Sequence, residues 1–202
     1  LRISSIEVTE LTDEVLEIIK NNKKIVNHFH IPLQAGSDRI LKLMNRKYDL
    51  SYYEDKINKL RNIREDVSIT TDIIVGFPNE TDDDFNETLT NAKKFKFAKI
   101  HVFPYSIRSG TVAATMEQVD GNIKKERARQ LLKVSSSLKE EYQAKFIGKE
   151  VEVLIEKDNE DISFGHTDNY LAVKVKGSHK QNTFVKAKIF AIDKENCFAM
   201  EV

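Results

Sequence analysis

The feature that most limits the possible folds is an alternation of strand-like and helix-like segments over residues 1–106. Apolar, β-branched segments predict four strands, at residues 1–6, 28–33, 67–75 and 98–104. Helical periodicity fills the intervals, and this order predicts parallel strands joined by helical crossovers. Four strands leave an unprotected edge unless others pair with them. We therefore expect a barrel or partial barrel whose first strands precede residue 1.

Capping residues predict where the helices of this region begin. The predicted caps are Thr12, Ser37, the pair Ser51 and Glu54, and the pair Thr81 and Asp84. The first helix, over residues 12–22, is predicted to place Val15, Ile18 and Ile19 on one face.

A different pattern occupies the second part of the chain. Residues 122–146 form a basic amphipathic pattern, with Leu131, Leu138 and Tyr142 on one stripe. From Gly148 onward the hydrophobic period changes to two, which predicts a small antiparallel barrel of five strands. We therefore divide the chain into a region over 1–121, a connecting helix over 122–146 and a β-domain over 147–202.

Charge and cysteine content exclude several classes of protein. The 32 basic and 32 acidic residues cancel, so no overall field draws the chain to nucleic acid or to a membrane. No apolar run is long enough for a membrane helix, and we expect a cytoplasmic protein. Cys197 is the only cysteine, so the chain alone forms no disulfide framework and holds no iron–sulfur cluster. The absence of an initiator Met favours part of a longer protein.

Candidate ligand-contacting residues, most of them polar, follow each predicted strand, where parallel α/β folds bind ligands. They are Ser4, Ser5 and Glu7; Gln34, Gly36, Ser37 and Asp38; Gly76, Phe77, Pro78 and Glu80; and Tyr105, Ser106 and Arg108. Simpler explanations exist for some of them. Helix capping explains Ser37, and a tight turn explains 76–78. His28 and His30 lie on one face of a strand, where packing competes with a role as paired ligands.

Several segments resemble the radical-SAM methylthiotransferases. They read HIPLQAGSDRILKLMNRKY (30–48), TTDIIVGFPNETDDDF (70–85) and HVFPYSIRSGTVAATM (101–116), while the segment from Phe146 onward resembles a TRAM domain. The resemblance implies an α/β fold, with the C-terminal portion of a partial (β/α)₆ radical-SAM barrel followed by a small TRAM β-barrel. It also implies S-adenosylmethionine (SAM), two [4Fe–4S] clusters and an electron donor in the full-length enzyme. Both cysteine sets would precede residue 1, so we expect no metal site and no catalysis in these residues alone.

The resemblance assigns roles to the residues that follow the strands. Gln34 and Ser37 would approach the ribose and methionine portions of SAM. Arg46 would pair with the methionine carboxylate, although a surface charge at a helix end is the alternative. The adenine neighbours would be Gly76, Phe77, Pro78, Glu80, Val102 and Tyr105. Ser5, Glu7, Asp38 and Arg108 would contact substrate or SAM.

The resemblance also suggests a substrate. RISSIE and HVFPYSIRSGT are most similar to the branch that adds a methylthio group at C2 of N6-threonylcarbamoyladenosine at position 37 of tRNA, in the anticodon stem-loop. Alternatives are the branches acting on isopentenyladenosine or on a ribosomal protein, and an RNA-binding module without catalysis. Candidate phosphate contacts are Lys124, Lys125, Arg127, Lys174, Lys176, Lys180, Lys186 and Lys188. Residues 146–202 contain eight Lys and ten acids, so only one face of the barrel can serve.

Overall fold

The computed structural model describes residues 1–202, as a three-stranded parallel sheet with its helices and a closed five-stranded barrel. The helices are α1 (Asp13–Asn21), α2 (Asp38–Leu43), α3 (Leu50–Ile63), α4 (Asp82–Phe95) and α5 (Gly121–Ala144). Strands β1 (His28–His30), β2 (Ser68–Val75) and β3 (Lys99–Pro104) form the sheet. Strands β4 (Glu150–Asp158), β5 (Ile162–His166), β6 (Ala172–Lys176), β7 (Phe184–Ile192) and β8 (Cys197–Glu201) form the barrel. No helix is both long enough and apolar enough to cross a membrane.

The sheet has the order β1-β2-β3, and all its pairs are parallel as predicted. Two predicted strands are shorter than expected. Residues 1–6 form no strand and pair with β1 only through a bridge between Ile3 and Phe29 and a hydrogen bond from Ile6 N to His30 O at 3.0 Å. β1 ends at His30 because Pro32 has no N–H for the ladder, and the Thr71 hydroxyl bonds Ile31 O and Leu33 N at 2.8 Å instead.

The helix starts show where local rules are sufficient. Thr12 caps α1, and Thr81 with Asp84 forms the predicted capping box of α4. The Ser51 prediction is wrong, because α3 begins two residues earlier and the Asp49 side chain accepts a hydrogen bond from Tyr52 N at 2.7 Å. The predicted face of α1 is also only partly correct, since Ile19 is buried whereas Ile18 is 53% exposed.

Helix α5 protects the free edge of β3. The Ser135 hydroxyl lies 3.0 Å from both Ile100 N and Ile100 O, so it satisfies backbone groups that a further strand would otherwise pair. Leu131 and Leu138 of the same helix belong to the 30-residue core cluster of the sheet region. Helix α5 therefore covers the β3 edge of the sheet at Ile100.

The barrel closes in the order β4-β5-β6-β8-β7. Its neighbours are antiparallel except for β6 and β8, which are parallel, so the prediction of a purely antiparallel barrel is corrected to a mixed one. The barrel contacts the sheet region just before β2, where Asp66 O accepts a hydrogen bond from Asn169 Nδ2 of the barrel at 3.2 Å. Tyr142 Oη of α5 donates to the same oxygen at 2.8 Å.

Candidate functional site

The carboxyl ends of the three parallel strands meet at one rim. Gln34 N donates to Asp72 O and Gln34 O accepts from Ile74 N, both at 2.8 Å, so the segment after β1 rejoins the sheet beside the end of β2. Tyr105 N donates to Val75 O at 2.9 Å and brings the end of β3 to the same place. Gln34 has φ +69° and Gly76 has φ +70°, so both chains turn sharply there. The structure thus brings together three of the predicted cofactor-binding residues.

The turn after β2 is held from inside the protein. Gly76 N donates to Glu80 Oε2 at 2.7 Å, and Arg127 Nη1 donates to the same oxygen at 2.6 Å. Phe77 packs edge-on against Tyr105, with ring centroids 5.2 Å apart, and Pro78 is buried beside it. A Cβ on Gly76 would lie 2.4 Å from Lys124 Cγ, so glycine also permits the close approach of α5.

This arrangement corrects two predicted contacts. The side chains of Glu80 and Arg127 are 1% and 6% exposed, and they bind each other. Glu80 therefore supports the turn from behind and does not present its carboxylate at the rim. Arg127 is unavailable to an RNA phosphate because its guanidinium is buried on Glu80 and Asp82.

Ser37 is a third correction. It is fully buried, makes no capping hydrogen bond, and its hydroxyl donates to Asp84 Oδ1 at 3.0 Å. Asp84 also accepts hydrogen bonds from Arg39 and Thr81. Burial alone would raise the pKa of Asp84, but hydrogen bonds from these three side chains lower it overall. Ser37 thus ties α2 to α4 and is not accessible to a ligand.

Arg46 and Glu7, predicted from different segments, lie together. Arg46 Nη1 is 3.4 Å from Glu7 Oε1, and Arg46 Nε is buried without a hydrogen-bond partner. The neighbouring Tyr48 Oη donates to Leu33 O at 3.1 Å, and burial raises the pKa of this phenol to about 12. This segment therefore lies against the chain just before Gln34, with a guanidinium whose donors are only partly used.

The remaining predicted contacts have different surroundings. Asp38 is committed to the fold, because Oδ1 accepts from Leu50 N at 2.7 Å and holds the start of α3. Ser5 and Arg108 are exposed. Val102 packs on the apolar core, whereas the next residue, Phe103, is 50% exposed and pairs with Ile74 in the β2–β3 ladder. Of these two adjacent residues, Phe103 therefore presents the larger exposed apolar surface at the end of β3.

A second polar group lines a cavity of about 510 Å³ between the sheet and the barrel. His28 Nε2 and His30 Nδ1 both lie 3.1 Å from Thr70 Oγ1, which confirms that the two histidines share a face. Burial lowers the pKa of His28 to about 4, with a smaller effect from Arg2. His30 Nε2 lies 3.3 Å from Asp72 Oδ2. Thr70, Asp72 and His101 were missed, although alternate positions on the strands indicate their common face.

The ring of Tyr170 lines the cavity from the barrel side. His28 packs on it with ring centroids 5.0 Å apart, and His166 stacks on it at 4.4 Å. The Arg2 guanidinium lies 3.8 Å from its ring centroid. These contacts fix the side of the barrel that faces the histidines.

The predicted RNA-binding lysines occupy several surfaces. Lys125 and Lys180 are exposed, whereas Lys124 is half-buried with Nζ 5.2 Å from the Tyr105 ring centroid. On β7, Lys186 and Lys188 face the acids Glu152 and Glu150 across the ladder. On β6, Lys174 and Lys176 are opposite Phe198 and Met200 of β8 and face no acid there.

Comparison with known proteins assigns the sheet region to a superfamily. A model described as Radical SAM superfamily matches residues 2–92. The chain is 44% identical over 196 residues to the threonylcarbamoyladenosine tRNA methylthiotransferase MtaB of Bacillus subtilis (strain 168), covering 94% of the chain and 44% of that protein. It is 40% identical to the MtaB of Rickettsia prowazekii (strain Madrid E), covering 96% of the chain and 45% of that protein.

A relative with another named substrate is also similar. The chain is 43% identical over 171 residues to the tRNA-2-methylthio-N(6)-dimethylallyladenosine synthase of Acetivibrio thermocellus, covering 83% of the chain and 36% of that protein. The chain thus spans less than half the length of these three relatives. Among solved structures, coproporphyrinogen III oxidase (HemN) from Escherichia coli, a radical SAM enzyme, superposes with a TM-score of 0.56 at 19% identity, covering 66% of this chain and 31% of that one. This likeness concerns the fold.

Proposed function

Because the chain belongs to the radical-SAM methylthiotransferase family, we propose that it is the part of a tRNA methylthiotransferase that contacts SAM and tRNA. The observation that carries this proposal is the meeting of the segments after β1, β2 and β3 at one rim of a parallel sheet. We further propose that the enzyme acts at C2 of N6-threonylcarbamoyladenosine 37, in the anticodon stem-loop. Two relatives named for that nucleoside match 94% and 96% of the chain, and a third matches 77%. Relatives named for dimethylallyladenosine match 77–89% of the chain.

The residues at the rim fit the chemical parts of SAM. Ile74 and Phe103 offer an apolar surface for the adenine ring. Arg46 has an unpartnered Nε near the rim and suits the methionine carboxylate, while Gln34 offers an amide for the ribose or amino group. SAM supplies radical chemistry when it is bound to a reduced [4Fe–4S] cluster. Reduction of that cluster requires an electron donor. The rim residues of this chain bind and orient it.

The two [4Fe–4S] clusters would need thiolates from residues other than these 202. Cys197 is the single cysteine, it is buried in the barrel core, and burial raises the pKa of its thiol to about 11. We therefore propose that these residues alone do not catalyse the reaction.

Contact with tRNA is best supported on the β6–β8 face of the barrel. Lys174 and Lys176 lie there beside Phe198, and an aromatic ring beside cations suits a nucleic-acid backbone and its bases. Lys186 and Lys188 are less suitable because Glu152 and Glu150 offset their charge. Lys125 extends the basic surface along α5. With tRNA as its partner, the protein would work in the cytoplasm.

The test is the nucleoside profile of tRNA from cells lacking the gene that encodes this chain, measured by liquid chromatography and mass spectrometry. We expect specific loss of 2-methylthio-threonylcarbamoyladenosine and accumulation of its precursor. Loss of the isopentenyl derivative instead would move the enzyme to that branch. Unchanged profiles of both nucleosides would contradict tRNA methylthiolation and favour a ribosomal-protein substrate or a non-catalytic RNA-binding module.

Complementation then tests the rim. Phe103→Ala should restore less of the modified nucleoside than the wild-type gene does, because it removes the apolar surface opposite Ile74. Phe184→Ala is the matched control, since Phe184 is also an exposed phenylalanine, 66% against 50%, but lies on the barrel. Equal restoration by both variants would contradict the assignment of the rim.

A further inference from the structure

Three side chains of types that bind metal ions lie together on the face of the sheet where His30 and His101 line the cavity. His30, Asp72 and His101 each offer one ligand atom, and these atoms all lie within 4.8 Å of one another. They come from β1, β2 and β3. Asp72 pairs with His101 in the ladder, and His30 pairs with Thr70, two residues before Asp72 on the same face. A hydrogen-bonded parallel sheet therefore fixes the three Cα positions in advance.

The distance between two of these ligand atoms suits a small divalent ion. Two ligands that each lie about 2.0–2.1 Å from a tetrahedral zinc ion are about 3.3 Å apart. His30 Nε2 and Asp72 Oδ2 are separated by 3.3 Å. The side chain of His101, by contrast, is half-buried and packs edge-on against His30 with ring centroids 5.8 Å apart. His101 therefore offers the third ligand, from β3.

We propose that His30, Asp72 and His101 form a binding site for one divalent first-row transition metal ion, with the open coordination positions facing the cavity. Two imidazoles and one carboxylate suit Zn²⁺, Co²⁺ or Fe²⁺ and disfavour Mg²⁺ and Ca²⁺, which prefer oxygen ligands. Three protein ligands leave at least one position for water or another small ligand. The site lies on the same face of β2 and β3 as Ile74 and Phe103, two residues before them, and the proposal does not rest on the proposed tRNA chemistry.

Two of the cations that line the cavity are engaged by other groups. Lys139 Nζ is 2.7 Å from Glu195 Oε2, and Arg2 lies on the ring of Tyr170.

Thr70 positions one of the ligands. Its hydroxyl carries a single hydrogen and lies 3.1 Å from both His28 Nε2 and His30 Nδ1. When a metal binds His30 Nε2, the proton of His30 is on Nδ1 and is donated to Thr70 Oγ1. The hydroxyl then donates to His28 Nε2, which leaves the proton of His28 on Nδ1, an atom that is buried without a partner. Thr70 is therefore the outer-shell group that orients a ligating histidine.

The experiment uses the 202-residue chain, freed of any affinity tag and stripped of metal with a chelator. Co²⁺ is titrated with visible absorption as the readout, and Zn²⁺ with calorimetry. We expect one ion per chain. Asp72→Asn and His101→Ala should each weaken binding by about 100-fold or more, and Thr70→Val by about 10–100-fold. His179→Ala is the matched control and should not change the affinity, because its imidazole bonds Lys176 O on the barrel.

Two results would overturn the proposal. One is the absence of Co²⁺ and Zn²⁺ binding to the wild-type chain, which would leave His30 and Asp72 as an ion pair only. The other is equal affinity of the wild-type chain and the Asp72→Asn and His101→Ala variants. Circular dichroism establishes that each variant is folded. If a variant is unfolded, imidazole ¹⁵N shifts decide on the wild-type chain, since Zn²⁺ should move the His30 and His101 signals and leave that of His179 in place.

Discussion

Replacing Arg127 with methionine removes the cation that neutralises Glu80 in the interior. Arg127 Nη1 donates to Glu80 Oε2 at 2.6 Å and to Glu80 O at 3.2 Å, with the two side chains 6% and 1% exposed. A buried carboxylate that loses its partner destabilises a protein by about 3–5 kcal/mol. The second partner, Asp82, is 90% exposed, so that contact contributes at most about 1 kcal/mol. We therefore expect a large loss from Arg127→Met and a small one from Asp82→Asn.

Urea denaturation measures these free energies of unfolding, and a double-mutant cycle isolates the pair. Glu80→Gln combined with Arg127→Met removes both charges, so its loss should be smaller than the sum of the single losses by about 1–3 kcal/mol. Hydrogen exchange at Gly76 N provides a local readout, because this amide donates to Glu80 Oε2. A loss below 1 kcal/mol for Arg127→Met, or additive single effects, would refute the reasoning.

Three further perturbations test the fold. Gly165→Ala should destabilise the barrel by about 3 kcal/mol or more in thermal denaturation, because the new Cβ would lie 1.9 Å from Leu154 O. Gly121→Ala is the control, since a Cβ there meets nothing within 4 Å. His28 has its pKa lowered to about 4, so the unfolded chain takes up this proton first and stability should fall by about 2–3 kcal/mol between pH 6.5 and 4. Urea denaturation of His28→Gln across this pH range should show no such fall in the free energy of unfolding. Ser135→Ala leaves Ile100 N and O unpartnered and should cost about 1–3 kcal/mol in urea denaturation, whereas the exposed Ser137→Ala should be nearly neutral.

Local sequence rules predicted the start of a helix correctly where the capping residues interact only with each other. Thr81 and Asp84 satisfy each other within one turn, so the start of α4 needed no knowledge of the rest of the chain. The start of α3 had two competing candidates. Asp49 caps the helix and allows Leu50 to be buried, while Ser51 remains exposed on the first turn. Burial of a neighbour, which the capping rule does not consider, decided between them.

Charge patterns were less informative because the partner of a charge is often distant in sequence. Arg127 belongs to a basic stretch that suggested an RNA surface, yet it is buried on Glu80, 47 residues earlier in the chain. Lys186 and Lys188 looked like phosphate contacts, but the pairing of β7 with β4 places Glu152 and Glu150 across from them. In both cases tertiary pairing determined whether a cation is free.

The cavity follows from which face of β3 the last helix of the sheet region covers. Ser135 bonds both backbone groups of Ile100, and Leu131 lies in the same apolar core as Ile100. Because side chains alternate along a strand, this contact turns His101 and Phe103 to the opposite face. The register of β3 with β2 then puts His101 beside Asp72 and Phe103 beside Ile74 on that face. The strand sequence contains both alternations, and only the packing of α5 selects the one that places an imidazole in the cavity and an aromatic ring at the rim.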